Sequence, residues 1–160
     1  MKTLVGLGNP GDKYKSNRHN VGHMFIDYLK TKNSELRTIK TDCFMNISGK
    51  FVSSCVTRYK LQVSRDLYIV HDDLDIPLSK YKIQFGTGPK LHNGILSIEE
   101  ELGTSEFWRI RIGVDNPSTR FARSGQGKID GETYSLQDFT SEELKQLQPV
   151  FEKIYKQILI

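Results

Sequence analysis

The stretch "LYIVHDDLDIP", residues 67–77, contains an apolar run that passes directly into four ionisable side chains. The run over residues 67–70 shows no alternation of polar and apolar residues, as is typical of a strand buried on both faces. Sheets with helices on both faces bury their strands in this way, and their sites lie beyond the carboxyl ends of the strands. The stretch therefore predicts a buried central strand with a functional site at its end.

Two later segments alternate instead, and their patterns predict half-buried strands. In "KYKIQF", residues 80–85, aromatic and aliphatic side chains point one way, while two lysines and a glutamine point the other. In "WRIRIGV", residues 108–114, Arg109 and Arg111 oppose the apolar side chains. Each of these strands is therefore expected to present two cations on its polar face.

Helical patterns lie between the predicted strands. Apolar residues at helical spacing begin at Val21, and a capping box of Thr140 and Glu143 precedes a C-terminal helix over residues 140–160. This order predicts a single α/β domain over residues 1–160, with three α/β/α layers and a mixed, mostly parallel sheet. Further helical stripes occur over residues 47–59, 91–102 and 144–158.

The composition is that of an ordinary globular domain, with 37% hydrophobic and 26% charged residues. No stretch approaches the roughly 18 consecutive apolar residues that a membrane helix requires. The apolar N-terminal run passes at once into Gly and Pro, which is unlike a secretion signal. Cys43 and Cys55 provide neither a metal-ligand spacing nor a disulfide framework. We expect a cytoplasmic monomer with no membrane partner and no obligate protein partner.

Charge is distributed unevenly along the chain. The net charge is +4 at pH 7, but residues 1–60 alone carry 11 Lys/Arg against 4 Asp/Glu. Residues 115–131 are polar and basic with three glycines, and this length and composition predict a flexible basic loop. A basic face attracts a polyanion such as a nucleic acid. A solvated surface without a partner has the same composition, so charge alone leaves both interpretations open.

The motif "GLGNPG", residues 6–11, formally matches the G-x-G-x-x-G fingerprint of dinucleotide-binding folds. That site requires a helix that begins immediately and an acidic residue about 20 residues later, at the end of a second strand. Here Pro10 precedes the last glycine, residues 12–17 continue as a loop, and Asp27 lies within a helical pattern. The sequence therefore excludes a dinucleotide site. A tight turn explains the glycines but not Asn9.

The ionisable groups that end the central strand admit several interpretations. Zinc sites usually combine several His or Cys ligands, and magnesium usually binds carboxylates together with a phosphate. His71 and its neighbouring aspartates match neither pattern cleanly. Asp73 and Asp75 also fit a capped turn closed by Pro77. Asp72, the first residue after the histidine, is the best placed for chemistry.

Polar residues elsewhere occupy strand ends or helix starts, where one cleft can collect them. Asparagine is a common helix cap and histidine a common buried residue, so each of these residues taken alone also has a structural explanation. Together, carboxamides around a histidine and an aspartate, with no nucleophile motif, predict hydrolysis by an activated water. The residues are Asn9, His19, Asn46, Asp72 and Asn93.

Seven blocks follow one another along nearly the whole chain: "GLGNPGDKY", "NRHNVG", "FMNISGK", "HDDLDIPLSKYK", "HNG", "LGTSEFWRIRIGV" and "YSLQDFTSEEL". In this order they resemble the bacterial peptidyl-tRNA hydrolase family. The resemblance implies a cytoplasmic esterase that uses no metal or other cofactor. Such an enzyme cuts the ester between a peptide and the 3′-terminal ribose of tRNA, which recycles tRNA from stalled translation. Its implied partner is peptidyl-tRNA, at the acceptor arm and 3′-CCA end.

The resemblance assigns a role to each residue of the predicted cluster. His19 in "NRHNVG" matches the family's catalytic histidine, and Asp72 in "HDDLD" matches the aspartate that orients it. A histidine is a suitable base for water near neutral pH, and a carboxylate on its other nitrogen fixes the tautomer. Asn93 is the expected oxyanion donor, while Asn9 holds the peptide and Asn46 holds the substrate or the water.

On the tRNA side the resemblance is less complete. Tyr14 matches a tyrosine near the tRNA end, and Arg111 matches an arginine that contacts a phosphate, as its forked guanidinium allows. A lysine of the family's phosphate clamp is replaced by Gln84. Lys82, two residues away on the same strand face, is the expected substitute.

Two further departures from the family bear on fold and function. Lys90 and Leu91 replace the glycines that usually precede "HNG", so we expect a reshaped loop on the peptide side of the cleft. Residues 30–43 are too few for the strand pair expected there, which predicts a smaller sheet. Plant organellar RNA-splicing factors also resemble the family and bind RNA without hydrolysing it. The compact chain, with no added apolar surface segment, favours the enzyme over this alternative.

Overall fold

The computed structural model describes residues 1–121 and 127–160, and these form one five-stranded sheet covered by helices. In the sheet the strands lie in the order β2–β1–β3–β5–β4, and every neighbouring pair is parallel except β4 with β5. The predicted mixed, mostly parallel sheet is confirmed. The strands are β1 (Thr3–Gly6), β2 (Arg37–Lys40), β3 (Leu67–Pro77), β4 (Tyr81–Phe85) and β5 (Trp108–Asp115).

The described residues form seven α-helical segments, of which four are long enough to build the layers. Three 3-10 turns precede or interrupt them, at Asp12–Tyr14, Arg18–Asn20 and Met45–Ile47. No helix in the described part of the chain is long and apolar enough to cross a membrane. The helices are α1 (Val21–Lys30), α2 (Ser48–Tyr59), α3 (Val63–Asp66), α4 (Asn93–Leu102), α5 (Pro117–Arg120), α6 (Gly131–Ser135) and α7 (Ser141–Ile158).

Two apolar cores separate the helices from the sheet and make it the middle of three layers. On one face, α1 and α7 pack against the sheet, where Leu4 and Ile110 are fully buried. On the other face, α2 and α4 pack against Val5 and Ile69, which are equally buried. Consecutive residues of one strand thus face opposite cores, which is why the central strands read as unbroken apolar runs.

Close approach of α2 to α4 depends on a glycine. A side chain at Gly49 would overlap the carbonyl oxygen of Ser97, whereas the Gly49 amide donates to the Ser97 hydroxyl at 2.9 Å. Only the absence of a Cβ atom allows this contact. The contact with Ser97 fixes the start of α2, which follows directly after the 3-10 turn Met45–Ile47.

Strand β5 differs from its prediction as a half-buried strand. It lies between β3 and β4 and is buried on both faces, including Arg109 and Arg111. Burial is tolerated because each guanidinium has an acidic partner: Arg109 pairs with Glu99 of α4, and Arg111 with Asp73 of β3. The predicted row of exposed cations on this strand is therefore wrong.

Other expectations hold or fail for local reasons. The chain between α1 and α2 contains one strand, β2, so the smaller sheet is confirmed. The capping box of Thr140 and Glu143 is present at the start of α7.

Leu91 was expected on the apolar stripe of α4, but it precedes that helix and is 83% exposed. The helix begins two residues later because His92 caps it.

The segment predicted as a flexible basic loop, residues 115–131, contains the helical turn α5, which Asn116 caps. Arg120 of this turn is buried and ion-paired with Asp115 at 2.8 Å. Lys128 pairs in an isolated bridge with Phe121. Arg123, which the sequence also placed in this loop, lies outside the described residues.

Candidate active site

A cleft of about 690 Å³ opens at the carboxyl ends of β1 and β3. Its position follows from the topology. Helix α1 follows β1 and covers one face of the sheet, whereas α2 precedes β3 and covers the other face. Open α/β sheets form their binding crevices at such a reversal of strand order. The cleft collects the whole predicted cluster of polar residues: Asn9, His19, Asn46, Asp72 and Asn93.

Asp72 lies at the centre of the site, near the end of the buried strand β3. His19 reaches it from the 3-10 turn that precedes α1, with Nδ1 at 2.9 Å from both carboxylate oxygens. Asp72 is almost fully buried, whereas 16% of the His19 side chain is exposed to the cleft. The carboxylate thus holds Nδ1–H, and the other ring nitrogen, Nε2, is left to accept a proton.

His92 is a second histidine bound to the same carboxylate, and the sequence did not reveal this role. Its Nδ1 accepts the backbone N–H groups of Gly94 and Ile95 and so caps α4. A neutral imidazole with Nδ1 as acceptor carries its proton on Nε2, which lies 2.8 Å from Asp72 Oδ1. The sequence allowed either His92 or Asn93 to cap this helix; His92 is the cap, and the Asn93 carboxamide remains exposed in the cleft.

The two histidines determine the charge state of the site. Burial alone would raise the pKa of Asp72, but the electrostatic interactions and hydrogen bonds with the His19 and His92 rings hold it well below its usual range. Burial lowers the pKa of His19, but the charge of Asp72 and its hydrogen bond to the ring together outweigh burial, and the net effect is a pKa above the ordinary 6.5. The pair therefore consists of an ionised carboxylate and a histidine poised to bind a proton.

His71 precedes Asp72 but faces away from the chemistry. It is fully buried and packs edge-on against His92, with ring centroids 4.9 Å apart. Its Nδ1 lies 2.7 Å from the carbonyl oxygen of Asp72, and burial lowers its pKa to about 3. A neutral, donating His71 therefore supports the end of β3 and does not supply a base.

The site also contains side chains of the kinds that bind metal ions. His19, Asp72 and His92 present ligand atoms that lie within 4.8 Å of one another. A metal bound at His92 Nε2 would need its lone pair, yet the two backbone donors at Nδ1 place the proton on Nε2. The three side chains therefore form a hydrogen-bonded array in which Asp72 is the shared acceptor.

Asn9 is fixed beside the turn that carries His19 by contacts that the sequence did not predict. Its backbone N–H and carbonyl oxygen both bond to the carboxamide of Asn20, each at 2.9 Å. Its own Oδ1 accepts the backbone N–H of Met45 at 2.8 Å. With Oδ1 occupied, Asn9 can direct its Nδ2 donor at a ligand. The loop "GLGNPG" is thereby tied both to the turn that carries His19 and to the turn before α2.

Asn46 and Asn93 line the same cleft with exposed carboxamides. Asn46 belongs to the 3-10 turn before α2, and Asn93 is the first residue of α4. Between them the cleft is lined by apolar side chains, among them Phe44 and Leu91. The arrangement combines a base, several amide donors and apolar walls, which suits a polar reaction centre attached to a larger group.

The residues expected on the tRNA side lie outside the cleft. Tyr14 makes an edge-on contact with Phe44 at the rim, with ring centroids 6.2 Å apart. Lys82 is exposed on β4. Arg111 is buried, and its Nε donates to Asp73 at 2.7 Å while its Nη1 bonds to Gln84. Its Nη2 has no hydrogen-bond partner among the described residues, and the predicted phosphate contact of Arg111 stays a prediction.

Comparison with known proteins gives a consistent result. The peptidyl-tRNA hydrolase family model matches residues 3–160. The chain is 36% identical to a peptidyl-tRNA hydrolase of Pseudothermotoga lettingae, over 96% of this chain and 86% of that one. It is 30% identical to one of Desulfitobacterium hafniense, over 100% and 92% of the two chains. The crystal structure of peptidyl-tRNA hydrolase from Acinetobacter baumannii superimposes with a TM-score of 0.77 at 25% identity, covering 95% and 83%.

A histidine held by a buried carboxylate at the switch point of an α/β sheet is an arrangement that suits a hydrolytic enzyme. The chain belongs to the peptidyl-tRNA hydrolase family, and its reaction is the hydrolysis of peptidyl-tRNA. The family and the fold expected from the sequence are therefore confirmed.

Proposed function

We propose that His19 is the general base of this reaction and that no metal takes part. The observation that carries the proposal is the contact of His19 Nδ1 with both oxygens of Asp72, at 2.9 Å each. The carboxylate fixes the Nδ1–H tautomer and stabilises the imidazolium once it forms. Nε2 is then free to take a proton from the attacking water.

The reaction proceeds by addition of water to the ester carbonyl. As the water oxygen bonds to the carbonyl carbon, its proton passes to His19 Nε2 and the carbonyl oxygen becomes an oxyanion. The tetrahedral species then expels the 3′-oxygen of the ribose, which takes the proton from the imidazolium. The products are a peptide carboxylic acid, which releases its remaining proton to solvent, and a tRNA with a free 3′-hydroxyl, so the tRNA is recycled from stalled translation.

The asparagines of the cleft supply the hydrogen bonds that this sequence of steps requires. Asn93 is the proposed oxyanion donor, since an amide aimed at such a charge can contribute on the order of 3 kcal/mol. Asn9, with Oδ1 engaged by Met45, offers Nδ2 to the peptide. Asn46, exposed on the facing turn, holds the substrate or the water.

Contacts to the tRNA are proposed at the basic residues beyond the cleft. The exposed Lys82 is the principal phosphate contact, Arg111 adds its remaining nitrogen, and Tyr14 lies near the 3′-CCA end. Phosphate contacts carry affinity without reading sequence, which suits an enzyme that accepts many tRNAs. We infer that the protein acts as a cytoplasmic monomer.

The decisive experiment offers the protein an N-acetylated aminoacyl-tRNA and its unacetylated counterpart in excess EDTA. We expect release of the acetylated amino acid only, and loss of that release in His19→Ala. His23→Ala is the matched control, because His23 lies in α1, directly after the turn that carries His19, but bonds to Thr41 and not to Asp72. That variant should retain activity.

Three outcomes would contradict the proposal. Activity that disappears in EDTA and returns with a divalent metal would show that a metal centre, and not a histidine, activates the water. Full activity in His19→Ala would remove His19 as the base. Binding of tRNA without release of the acetylated amino acid would favour the RNA-binding alternative.

A further inference from the structure

The residue next to His19 enters a buried ion pair that the reaction as described does not use. Arg18 Nη2 lies 2.6 Å from Glu143 Oε1, and the two side chains are 2% and 1% exposed. The guanidinium also stacks on the ring of Tyr134, 4.0 Å from its centroid. The ion pair joins the turn that carries His19 to the first turn of α7, 125 residues further along the chain.

Glu143 has no free acceptor capacity. Besides Arg18, its carboxylate accepts the backbone N–H of Thr140 at 2.9 Å, the Asn116 carboxamide at 3.1 Å and the Thr119 hydroxyl at 3.1 Å. Burial would raise the pKa of Glu143, but these donors together lower it. The carboxylate therefore stays ionised and serves both as the capping-box residue of α7 and as the partner of Arg18.

The backbone around Arg18 is attached to the same part of the molecule. Arg18 N–H donates to the carbonyl of Gln137 at 3.1 Å, and Phe139 N–H donates to the carbonyl of Ser16 at 2.9 Å. The Asn17 carboxamide donates to Asp138 at 2.6 Å. Residues 16–18 are thus bound, through main chain and side chains, to the segment that leads into α7.

On the other side of His19, Asn20 is bound through two hydrogen bonds to Asn9. His19 therefore lies between two anchored neighbours, Arg18 tied to α7 and Asn20 tied to the loop after β1. Within the described residues, its own ring bonds to Asp72 and makes a tilted contact with His92, at 5.1 Å between centroids. The direction of the ring depends on how rigidly its two neighbours are held.

A buried ion pair is a poor way to gain stability, because packed apolar residues of the same volume often stabilise a protein equally well or better. Its advantage is geometric, because a planar guanidinium bonds to a carboxylate in one defined orientation, whereas apolar groups can pack in many orientations. We propose that Arg18 and Glu143 are positioning residues that aim the His19 ring at Asp72 and at the substrate ester. This inference rests on the proposed role of His19 as the base.

The test is Glu143→Gln, which keeps the size of the side chain but leaves at least one of its donors without an acceptor. We expect kcat to fall about 10- to 100-fold, as for a displacement of a reacting group by about 1 Å, with KM changed less than twofold. The pKa of His19, measured by NMR, should fall toward 6.5 as its contact with Asp72 loosens. Thermal unfolding reports whether the variant is folded.

Arg18→Lys is the second variant, because it keeps the buried cation but loses the fork, and we expect an intermediate kcat. The control is Glu99→Gln, which removes the carboxylate from Arg109, an arginine as buried as Arg18 but remote from His19. Glu99→Gln should lower the unfolding temperature and leave kcat and the His19 pKa unchanged.

Folded Glu143→Gln and Arg18→Lys with the parent kcat and the parent His19 pKa would overturn the inference. An equal loss of kcat in Glu99→Gln would also overturn it, since the effect would then be one of general stability. Failure of the proposed function is recognised separately, because His19→Ala would then be active. An inactive His19→Ala with a fully active Glu143→Gln would refute the positioning role alone.

Discussion

Asp72 serves two histidines at once, and this sharing determines how the enzyme responds to pH. His19 must be neutral to accept a proton from water, and the charge of Asp72 raises its pKa above 6.5. Because His92 donates to the same carboxylate, Asp72 stays ionised throughout the working range. The rate should therefore rise with pH through the raised pKa of His19 and level off above it.

Asp72→Asn tests this directly. Without the negative charge the imidazolium is less stable, so the pKa of His19 falls and the inflection of kcat/KM moves to lower pH. The plateau should fall by about 10²- to 10⁴-fold, because an amide neither fixes the tautomer nor stabilises the imidazolium. The measurement is the pH profile of kcat/KM with an N-acetylated aminoacyl-tRNA.

Asp75→Asn is the matched control, since Asp75 lines the same cleft at the end of the same strand but does not bond to His19. Its profile should keep the parent inflection. An Asp72→Asn inflection that stayed in place or moved to higher pH would show that Asp72 does not act on His19 through its charge.

The elements that build the cleft owe their positions to close contacts between helices. Turn Met45–Ile47 leads directly into α2, and α2 is held against α4 at Gly49. Asn46 and Asn93 lie at the starts of these two helices, and both line the cleft. The distance between these two carboxamides therefore depends on a contact outside the cleft.

Gly49→Ala should separate the two helices. The added methyl would overlap the Ser97 carbonyl oxygen, and overpacking of this kind typically costs about 1–3 kcal/mol of unfolding free energy. Urea unfolding measures that loss, and the kinetics should show a lowered kcat/KM because Asn46 and Asn93 move apart. Ser54→Ala on the exposed side of α2 is the control and should stay within about 0.5 kcal/mol. A Gly49→Ala protein of parent stability would refute the contact.

Elements with a local signal were predictable, and their long-range partners were not. The unbroken apolar run of β3 and the capping box of α7 are encoded within a few residues, and both are observed. The pairing of Arg111 with Asp73 joins residues 38 positions apart, and nothing in the alternating pattern of β5 announces it. An alternating strand was therefore predicted as half-buried when acidic partners had in fact neutralised its polar face.

The same limit applies to the site. Its five cleft residues could be chosen from the sequence because strand ends and helix starts converge at one edge of a parallel sheet. The bond of His92 to Asp72 spans 20 positions and that of Arg18 to Glu143 spans 125, so neither follows from local spacing. A histidine beside "NG" at a helix start was the one available signal, and it indicated a cap rather than a partner for the aspartate.

Across the whole molecule, basic charge is expected to govern the affinity for tRNA. Lys82→Ala should raise KM and reduce the slope of log affinity against log salt by about 1, as for the loss of one phosphate contact. Kinetics at several salt concentrations provide the measurement. Lys153→Ala removes the same charge from the exposed face of α7 and should leave both quantities unchanged. Equal effects of the two substitutions would mean that only net charge matters.

The attachment of residues 16–18 to residues 137–143 has a consequence for the order in which the protein is made. During synthesis, His19, Asp72 and His92 leave the ribosome well before Glu143. A nascent chain therefore carries the residues of the site before it carries the ion-pair partner of Arg18 that positions His19. Such a chain is itself a peptide esterified to tRNA. The contact that positions His19 is therefore made only after Glu143 has left the ribosome, which delays the assembly of a working hydrolase until then.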